Sequence, residues 1–361
     1  MIDLSFRDKK FKLVEKFFIF LLISVVIIIT GFVFMIVRGM NIGVEFGGGA
    51  NISVTVHEAV EYNADEFKSD FVKWLKDKGY SVNNTVQTSN NDTYEFRIGT
   101  TMTKNGEKID LNAIDPDTGD TYLTSESGTL KPEMTDAVVN YFRTKYSLSD
   151  DDFNNDSVTV NVHAIGNQVM KSLIRAAIIA VSVAIVVMLA YIAIRFTWIS
   201  GLAAILALTH DVLIMIAFTT IFYIPVNSTF IAAVITIIGY SINATIVVFD
   251  RIREIEKQPS FAQLSDKEIS NMAVTQTLSR SILTTVTTLV MIVMLTIFGT
   301  ASIREFAFPI IFGLIGGAYS SILLSAPIWV YLRKLFRQEN KRPKQKVAKK
   351  KATPAVDSVA E

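Results

Sequence analysis

The sequence predicts a membrane α-helical bundle of six transmembrane helices, with one extracytoplasmic α+β domain inserted between the first and second helices. Three observations predict this class. Hydrophobic residues make up 50% of the chain, and its mean hydropathy is positive. They are concentrated in six long apolar runs, and one long polar region separates the first run from the second. Finally, the basic residues of the short loops can all be placed on one side of a membrane.

The six apolar runs define the predicted transmembrane helices. Because an α-helix rises about 1.5 Å per residue, roughly 20 apolar residues cross the hydrocarbon core of a bilayer. The runs cover residues 17–37, 170–194, 198–222, 229–249, 281–298 and 305–332. The predicted organisation is a cytoplasmic N-terminus at 1–16, helix 1 at 17–38, an extracytoplasmic domain at 42–165, helices 2–6 within 170–332 and a basic, disordered cytoplasmic tail at 333–361.

The first apolar run follows a basic segment and therefore resembles the start of a signal peptide. The run is longer than the apolar region of a signal peptide, however. Arg38, Gly39 and Met40 also provide no cleavage site of small residues. We therefore predict an uncleaved membrane anchor.

The basic residues predict the orientation of the helices. Lys and Arg in short loops stay on the cytoplasmic side of a membrane, and the basic N-terminal segment places the N-terminus there. Counting helices from this end also places Arg195, the loop 251–257 and the tail from Arg333 in the cytoplasm. The polar region 42–168, in which Asp and Glu outnumber Lys and Arg, then lies outside. The predicted location is the plasma or inner membrane, with both termini cytoplasmic.

The extracytoplasmic region has the element order of a ferredoxin-like sandwich. Alternating apolar and polar residues predict strands, and helical periodicity predicts two helices among them. The order is βαββαβ, with strands at 51–56, 81–86, 93–98 and 156–162 and helices at 64–78 and 133–146. Residues 100–130 are rich in Gly, Thr, Asp and Asn, and we predict that they form an inserted long loop or hairpin.

Glycines mark the junction between the first helix and the extracytoplasmic domain. Gly47, Gly48 and their neighbours in the segment 43–49 permit tight turns where a helix passes into a strand. A phosphate-binding loop is disfavoured, because no strand precedes these glycines and no Lys-Ser or Lys-Thr pair follows them. We interpret them as structural, and we interpret Gly239 in the fourth helix in the same way.

Several ionisable and polar residues lie within the predicted transmembrane helices. His210 and Asp211 are in the middle of the third helix, Asn243 is in the fourth, and Arg280 is near the cytoplasmic start of the fifth. A charge at the bilayer centre costs on the order of 3 kcal/mol or more by insertion scales and needs a partner or a water-filled cavity. The predicted polar path for ion coupling is therefore Asp211, His210, Asn243, Arg280 and Thr284.

This polar path has two interpretations. In the first, Asp211 and Arg280 form a static ion pair, and the threonine hydroxyls of the fifth helix bond carbonyls of their own helix, as is common in membranes. In the second, the same groups form an ion path or a proton relay. We favour bonds to the helix backbone for the hydroxyls alone, and an ion path for Asp211, His210 and Arg280.

Other residues of the helices predict packing and anchoring. Gly313, Gly317, Ser321 and Ser325 recur every four residues, which predicts a small-residue face that lets helices approach closely. Three aromatic residues near the ends of the runs predict anchors at the membrane interface: Trp198, Trp329 and Tyr331.

Charged residues at the end of the fourth helix predict a structural network at the cytoplasmic surface. Asp250, Arg251 and Arg253 lie within one turn, followed by Glu254 and Glu256. Helical spacing brings opposite charges together there. We predict that this network stabilises an interfacial helix and does not transport ions.

Five segments together resemble the SecD/SecF family of protein-export membrane proteins, in particular its SecF branch. In chain order they are VEFGGG, YIAIRFTW, LALTHDVLI, GYSINATIVVFDRIRE and TLSRSILTTVTT. The resemblance extends from about residue 11 to about residue 335 and is weakest in the extracytoplasmic domain. The family is related to the resistance-nodulation-division (RND) transporters.

The resemblance implies an accessory subunit of the Sec protein translocation machinery. In this family an ion gradient, such as the proton motive force, drives movements that help to pull an unfolded polypeptide out of the SecYEG channel. The expected partners are a SecD-like subunit, SecYEG, the exported polypeptide and membrane lipid. No enzyme activity, cofactor, metal or nucleic-acid partner is expected, because the chain has no Walker motif, no cysteine and only three histidines.

One position departs from the family pattern. The family usually reads Gly-Tyr-Ser-x-Asn-Asp in the fourth helix, and the resemblance assigns proton transfer to that aspartate. Here the position is Ala244, which cannot titrate, and Asn243 precedes it. Three accounts remain: a SecD-like partner supplies the carboxylate, Asp211 takes over its role, or the subunit is a passive scaffold. We favour the first.

Two other classes of protein are considered. A stand-alone ion-driven exporter would normally have two halves, each with six helices and an outer domain. This sequence predicts one set of six helices and one outer domain. A purely structural assembly subunit of the same complex is the remaining alternative. The sequence does not distinguish proton from sodium coupling.

Overall fold

The structure is a computed structural model. It describes residues 12–56, 64–87, 93–104, 107–111, 132–147, 149, 158–165, 167–261 and 263–336. Most of the predicted N-terminal segment 1–16, most of the insertion 100–130 and most of the tail 333–361 therefore lie outside the described residues.

Among the described residues, six helices are long and apolar enough to cross a membrane, as the sequence predicted. The chain is thus a multi-pass membrane protein. The six helices are α1 (Phe17–Arg38), α5 (Asn167–Arg195), α6 (Trp198–Ile221), α7 (Ser228–Lys257), α8 (Asp266–Phe298) and α9 (Ala301–Leu323).

The six helices form an inner and an outer group. In α6, α7 and α9, 44–50% of the residues in the most apolar 18-residue stretch are buried inside the protein, against 6–11% in α1, α5 and α8. Helix α9 packs against α6, α7 and α8, and α1 packs against α6. The outer group therefore turns apolar side chains such as Ile29, Val186 and Val290 away from the bundle, where only lipid or another apolar chain would cover them favourably.

Two predicted helix boundaries were wrong. Helix α8 begins at Asp266 rather than 281, because Ser265 and Glu268 form a capping box that starts the helix in the polar segment. The sixth run does not form one helix over 305–332. Helix α9 ends at Leu323, and a separate helix α10 covers Ser325–Leu335. Pro327 has no N–H to donate to the carbonyl of Leu323, which explains the break.

The predicted small-residue face is confirmed in α9 and ends with that helix. A Cβ atom on Gly313 would lie 2.5 Å from Cγ1 of Ile237 in α7, so the two helices need a glycine there. Ser325 begins α10 instead of continuing the face. Trp329 is 2% exposed in the core, with the Arg333 guanidinium 4.7 Å from its ring centre. The prediction that it anchors the protein at the membrane interface was therefore wrong.

The described part of the polar region between α1 and α5 folds as one antiparallel sheet with two helices. The strands are paired in the order β2-β3-β1-β5, and β4 pairs with β3. The elements are β1 (Gly49–Val56), α3 (Ala64–Asp77), β2 (Tyr80–Gln87), β3 (Thr93–Lys104), β4 (Glu107–Asp110), α4 (Pro132–Tyr146) and β5 (Val158–Ile165). The hairpin β3–β4 accounts for the start of the segment 100–130.

Aromatic side chains hold the helices of this domain to its sheet. Phe67 and Phe71 of α3, Phe96 of β3 and Phe142 of α4 are each at most 2% exposed. The rings of Phe71 and Phe96 lie edge to face with their centres 4.6 Å apart, a favourable geometry for aromatic pairs. These contacts give the domain a hydrophobic core separate from that of the bundle.

The junction glycines have the structural role that the sequence predicted. A short helix α2 (Val44–Gly47) follows α1. Gly48 and Gly49 then take φ values of 72° and 105°, which residues with side chains rarely adopt. The chain can therefore turn directly from α2 into β1.

Candidate functional site

A buried carboxylate lies at the centre of the bundle. Asp211 of α6 is fully buried, and its Oδ2 accepts a hydrogen bond from the hydroxyl of Ser241 in α7. Its Oδ1 lies 2.9 Å from Nδ1 of His210. The other ring nitrogen of His210 lies 2.8 Å from Oγ of Ser24 in α1. These four side chains, which we call the buried network, connect three transmembrane helices.

The hydrogen bonds of the buried network fit either protonation state of the imidazole. A carboxylate at Oδ1 requires a proton on Nδ1 of His210, so in the neutral imidazole Nε2 accepts from Ser24. Protonation of the ring makes both nitrogens donors, and Ser24 can then donate to the carbonyl of Phe20, 3.3 Å away. Each protonation state is therefore satisfied by rotation of one hydroxyl.

Close packing shields the buried network on the side of α9. A Cβ atom on Gly317 would lie 3.6 Å from Oδ2 of Asp211, so the α9 backbone passes next to the carboxylate. The ring of Tyr319 stacks on that of His210 with centres 6.1 Å apart. Ser24, His210 and Asp211 are hydrogen-bonded to one another in the same order as the side chains of a hydrolase triad. Ser24 is 1% exposed, however, and its hydroxyl has no room for a substrate.

Arg280 and Asn243 do not belong to the buried network and lie in a separate cleft. Both are exposed and line an open cleft of about 640 Å³ between α7 and α8, which we call the α7–α8 cleft. Residues two apart on a helix point about 200° away from each other, so Ser241 faces Asp211 whereas Asn243 faces the cleft. The static pair of Asp211 and Arg280 that the sequence allowed is not formed. The predicted single path is thus two separate sites.

The threonine hydroxyls of α8 bond their own helix. Oγ1 of Thr284 donates to the carbonyl of Arg280 at 2.8 Å, and Thr277 and Thr287 make equivalent bonds one turn back. This arrangement confirms the preference for backbone bonding. Thr284 belongs to the predicted path by position, but its hydroxyl proton is already engaged.

The charged end of α7 forms the predicted network with partners from other helices. Asp250 pairs with Arg195 of α5 at 2.8 Å. Nε of Arg251 donates to Gln276 of α8 at 2.6 Å, and Nη1 lies 2.5 Å from Glu254. Arg253 is exposed. The network therefore fastens α7 to α5 and α8 on the side that we predict to be cytoplasmic.

We expect Arg251→Gln to lower the stability of the purified chain by about 1 kcal/mol, because it breaks partly exposed polar bonds between helices. Arg253→Gln is the matched control and should change stability little. Thermal unfolding in detergent measures both. Equal effects of the two substitutions on thermal unfolding would contradict a structural role. So would a loss of gradient-dependent export in Arg251→Gln with no change in thermal unfolding.

Sequence reasoning missed one polar cluster. Arg97 of β3 forms a 2.5 Å ion pair with Glu305 of α9, and Asn227 donates to the second carboxylate oxygen at 2.5 Å. Arg97 is 6% exposed. Nothing in the sequence signals this cluster, because strand alternation places Arg97 on the face opposite Phe96 and Ile98, where a charged residue is expected to be exposed.

The sequence also missed Ser24 and Ser241 as partners of the acid. A serine in an apolar helix usually bonds its own backbone, so nothing in the sequence marks these two as different. Among the residues that the structure describes, no group of three or more His, Cys, Asp or Glu side chains is arranged to hold a metal ion.

Comparisons with known proteins identify relatives along most of the chain. Residues 146–335 match the family described as "Protein export membrane protein SecD/SecF, C-terminal". "Protein translocase subunit SecF" of Calditerrivibrio nitroreducens is 32% identical over 337 residues, which cover 93% of this chain and 98% of that protein. "Protein translocase subunit SecDF" of Bacillus subtilis is 32% identical over 319 residues, 88% of this chain and 37% of that protein.

A solved structure has the same arrangement of helices. The crystal structure of SecDF, a translocon-associated membrane protein from Thermus thermophilus, superposes with a TM-score of 0.68 at 26% identity. The superposition covers 92% of this chain and 39% of that one. This chain therefore corresponds to less than half of the SecDF chain.

Proposed function

The chain belongs to the SecD/SecF family of protein-export membrane proteins, and we propose on this premise that it acts with a SecD-like subunit to promote export of unfolded polypeptides. In this proposal the polypeptide leaves through the SecYEG channel, and the membrane ion gradient drives the subunit. The observation that carries the proposal is the buried network. A fully buried carboxylate bonded to an imidazole is costly inside a membrane, and ionisable groups at such positions usually serve a function.

The two polar sites have different roles in this proposal. The buried network holds a proton or an ion between α1, α6 and α7. The α7–α8 cleft presents Arg280 and Asn243 outward. Its own carboxylates, Asp250 and Glu254, pair with Arg195 and Arg251. A carboxylate from the SecD-like partner would therefore be the counter-ion of Arg280. The single long chain of the SecDF relative supports the idea that the two subunits meet in one complex.

We further propose that the extracytoplasmic domain over 42–165 is a ferredoxin-like sandwich. Its strand order β2-β3-β1-β5 with two helices on one sheet supports this assignment, and β4 is an addition at the hairpin. We propose that both termini are cytoplasmic, in accord with the basic loops.

Labelling of introduced cysteines tests the orientation. The chain has no cysteine, so a single Asp110→Cys on β4 is the only thiol. An impermeant maleimide should label it from outside the cell, whereas Lys257→Cys at the end of α7 should react only after the membrane is opened. Labelling of Asp110→Cys from the cytoplasmic side alone would show that the topology is wrong.

A passive assembly subunit of the same complex is the second candidate function. It is favoured by Ala244, which removes the titrating group of the family pattern. Purification in mild detergent followed by mass spectrometry tests the common premise, because both candidates require a SecD-like partner and channel subunits. Their absence from the purified material would contradict both.

A further inference from the structure

One carboxylate connects the extracytoplasmic domain to the starts of two transmembrane helices. Oε1 of Glu305, near the N-terminus of α9, lies 2.5 Å from Nη2 of Arg97 in β3, and the side chains are 16% and 8% exposed. Oε2 of Glu305 accepts from Asn227, 2.5 Å away. Asn227 caps α7, since its Oδ1 accepts from the backbone N–H of Phe230 at 3.1 Å.

Backbone hydrogen bonds reinforce this connection. Oε2 of Glu45 in α2 accepts from the N–H of Ser228, the first residue of α7, at 2.6 Å. The N–H of Gly43 donates to Val226 at 2.9 Å, and Val226 donates to Asn41 at 2.8 Å. The segment before α7 is therefore held by the segment 41–45, which leads into the extracytoplasmic sheet.

Both helices lead from this connection to the buried network. Ser241 of α7, which donates to Asp211, is 14 residues after Asn227, or about 21 Å along the helix. In α9, Gly317 is 12 residues after Glu305, and its backbone passes next to Asp211. A displacement of the helix starts can thus reach the carboxylate along two continuous helices, of which α9 lacks one backbone hydrogen bond at Pro309.

We propose that the Arg97–Glu305 pair is a joint through which movement of the extracytoplasmic domain is coupled to the buried network. A buried ion pair has two favourable arrangements, one with the charges in contact and one with both hydrated, because an unpaired buried charge is costly. The joint is therefore either closed or open. This inference rests on the proposed function and adds the mechanical link between its two parts.

Two single-cysteine reporters test the joint in the complete complex in membrane vesicles. Ser302→Cys lines a cavity of about 140 Å³ beside the ion pair, and Val247→Cys lines the α7–α8 cleft. The labelling rate of each with N-ethylmaleimide is measured with and without an imposed ion gradient. Each reporter is then combined with Arg97→Met, which removes the charge and keeps an apolar chain of similar length.

We expect both reporters to respond to the gradient when Arg97 is present. With Arg97→Met, Val247→Cys should still respond, whereas the labelling rate of Ser302→Cys, an exposed position beside the ion pair, should lose its dependence on the gradient, because the joint can no longer close. A gradient response at Ser302→Cys that Arg97→Met leaves unchanged would overturn the inference.

Failure of the proposed function gives a different result. If Val247→Cys does not respond even with Arg97 present, ion coupling in this subunit is wrong and the joint has nothing to transmit. If Val247→Cys responds but Ser302→Cys does not, the joint alone is wrong.

Two further variants separate coupling from stability. Lys145 of α4 forms a 2.7 Å ion pair with Asp70, and the hydrogen bond that its ammonium donates to this carboxylate raises the pKa of the lysine. Lys145→Met therefore removes one ion pair of the same domain away from the joint, and both reporters should keep their response. Arg97→Lys, which preserves the charge, should restore most of the gradient response at Ser302→Cys. Loss of response in Lys145→Met, or no recovery in Arg97→Lys, would indicate a purely structural role for Arg97.

Discussion

Asp211→Asn is expected to abolish gradient-dependent release of a secretory protein from membrane vesicles, while the subunit still folds and assembles. The substitution removes the only titratable oxygen atoms of the buried network and keeps the shape of the side chain. If Asp211 binds the coupled proton or ion, an amide cannot replace it, and we expect gradient-dependent release to fall at least about a hundredfold, in line with the loss of other acid–base groups.

The hydrogen bonds explain why assembly should survive this change. The amide oxygen can accept from Ser241, and the amide N–H can donate to Nδ1 of His210. Nε2 of His210 then donates to Ser24, whose hydroxyl turns to the carbonyl of Phe20. Every polar group of the network keeps a partner.

Asp211→Leu is the matched variant with the opposite expectation. It leaves His210 and Ser241 buried without their partner, which costs about 1–3 kcal/mol for each group, and the complex should be recovered in lower yield. If Asp211→Asn releases protein with the same gradient dependence as the parent, the buried network is a structural feature, and the passive subunit is the better account.

Arg280→Ala is expected to have the second largest effect and to impair export strongly. Arg280 presents its charge to the α7–α8 cleft, whose own carboxylates pair with other arginines, so a carboxylate of the partner would be its counter-ion. Removing the cation leaves that acid without compensation. Arg280→Lys, which keeps the charge, should retain part of the activity in the same vesicle assay, and stability in detergent should change little because Arg280 is exposed.

Ala244→Asp provides the companion measurement, with Ala244→Asn as the non-titrating control. The two variants should behave alike while the new carboxyl is protonated and diverge once it ionises at higher pH, because only the ionised form adds a charge. Identical pH profiles of the two variants, together with a normal response of Arg280→Ala, would exclude a coupling role for this cleft.

The sequence alone determined the number of transmembrane helices, the presence of the extracytoplasmic domain and the family. These features depend on local properties: long apolar runs must cross the membrane, and strands and helices follow the period of their side chains. The resemblance of LALTHDVLI and GYSINATIVVFDRIRE to one family also required no tertiary information. Boundaries were less certain where polar residues extend a helix, as at Asp266, or where Pro327 interrupts one.

Only the tertiary structure decided which polar groups meet. Asp211 and Arg280 both looked like members of one path, but Ser241 and Asn243 point to opposite sides of α7 and divide it in two. Ser24 is 186 residues from His210, and Arg97 is 208 residues from Glu305. Contacts over such separations depend on how helices pack, which is set by small residues such as Gly317 and by the sum of many weak contacts. A local pattern carries no record of them, and this is the physical reason why the buried network and the joint emerged only from the folded chain.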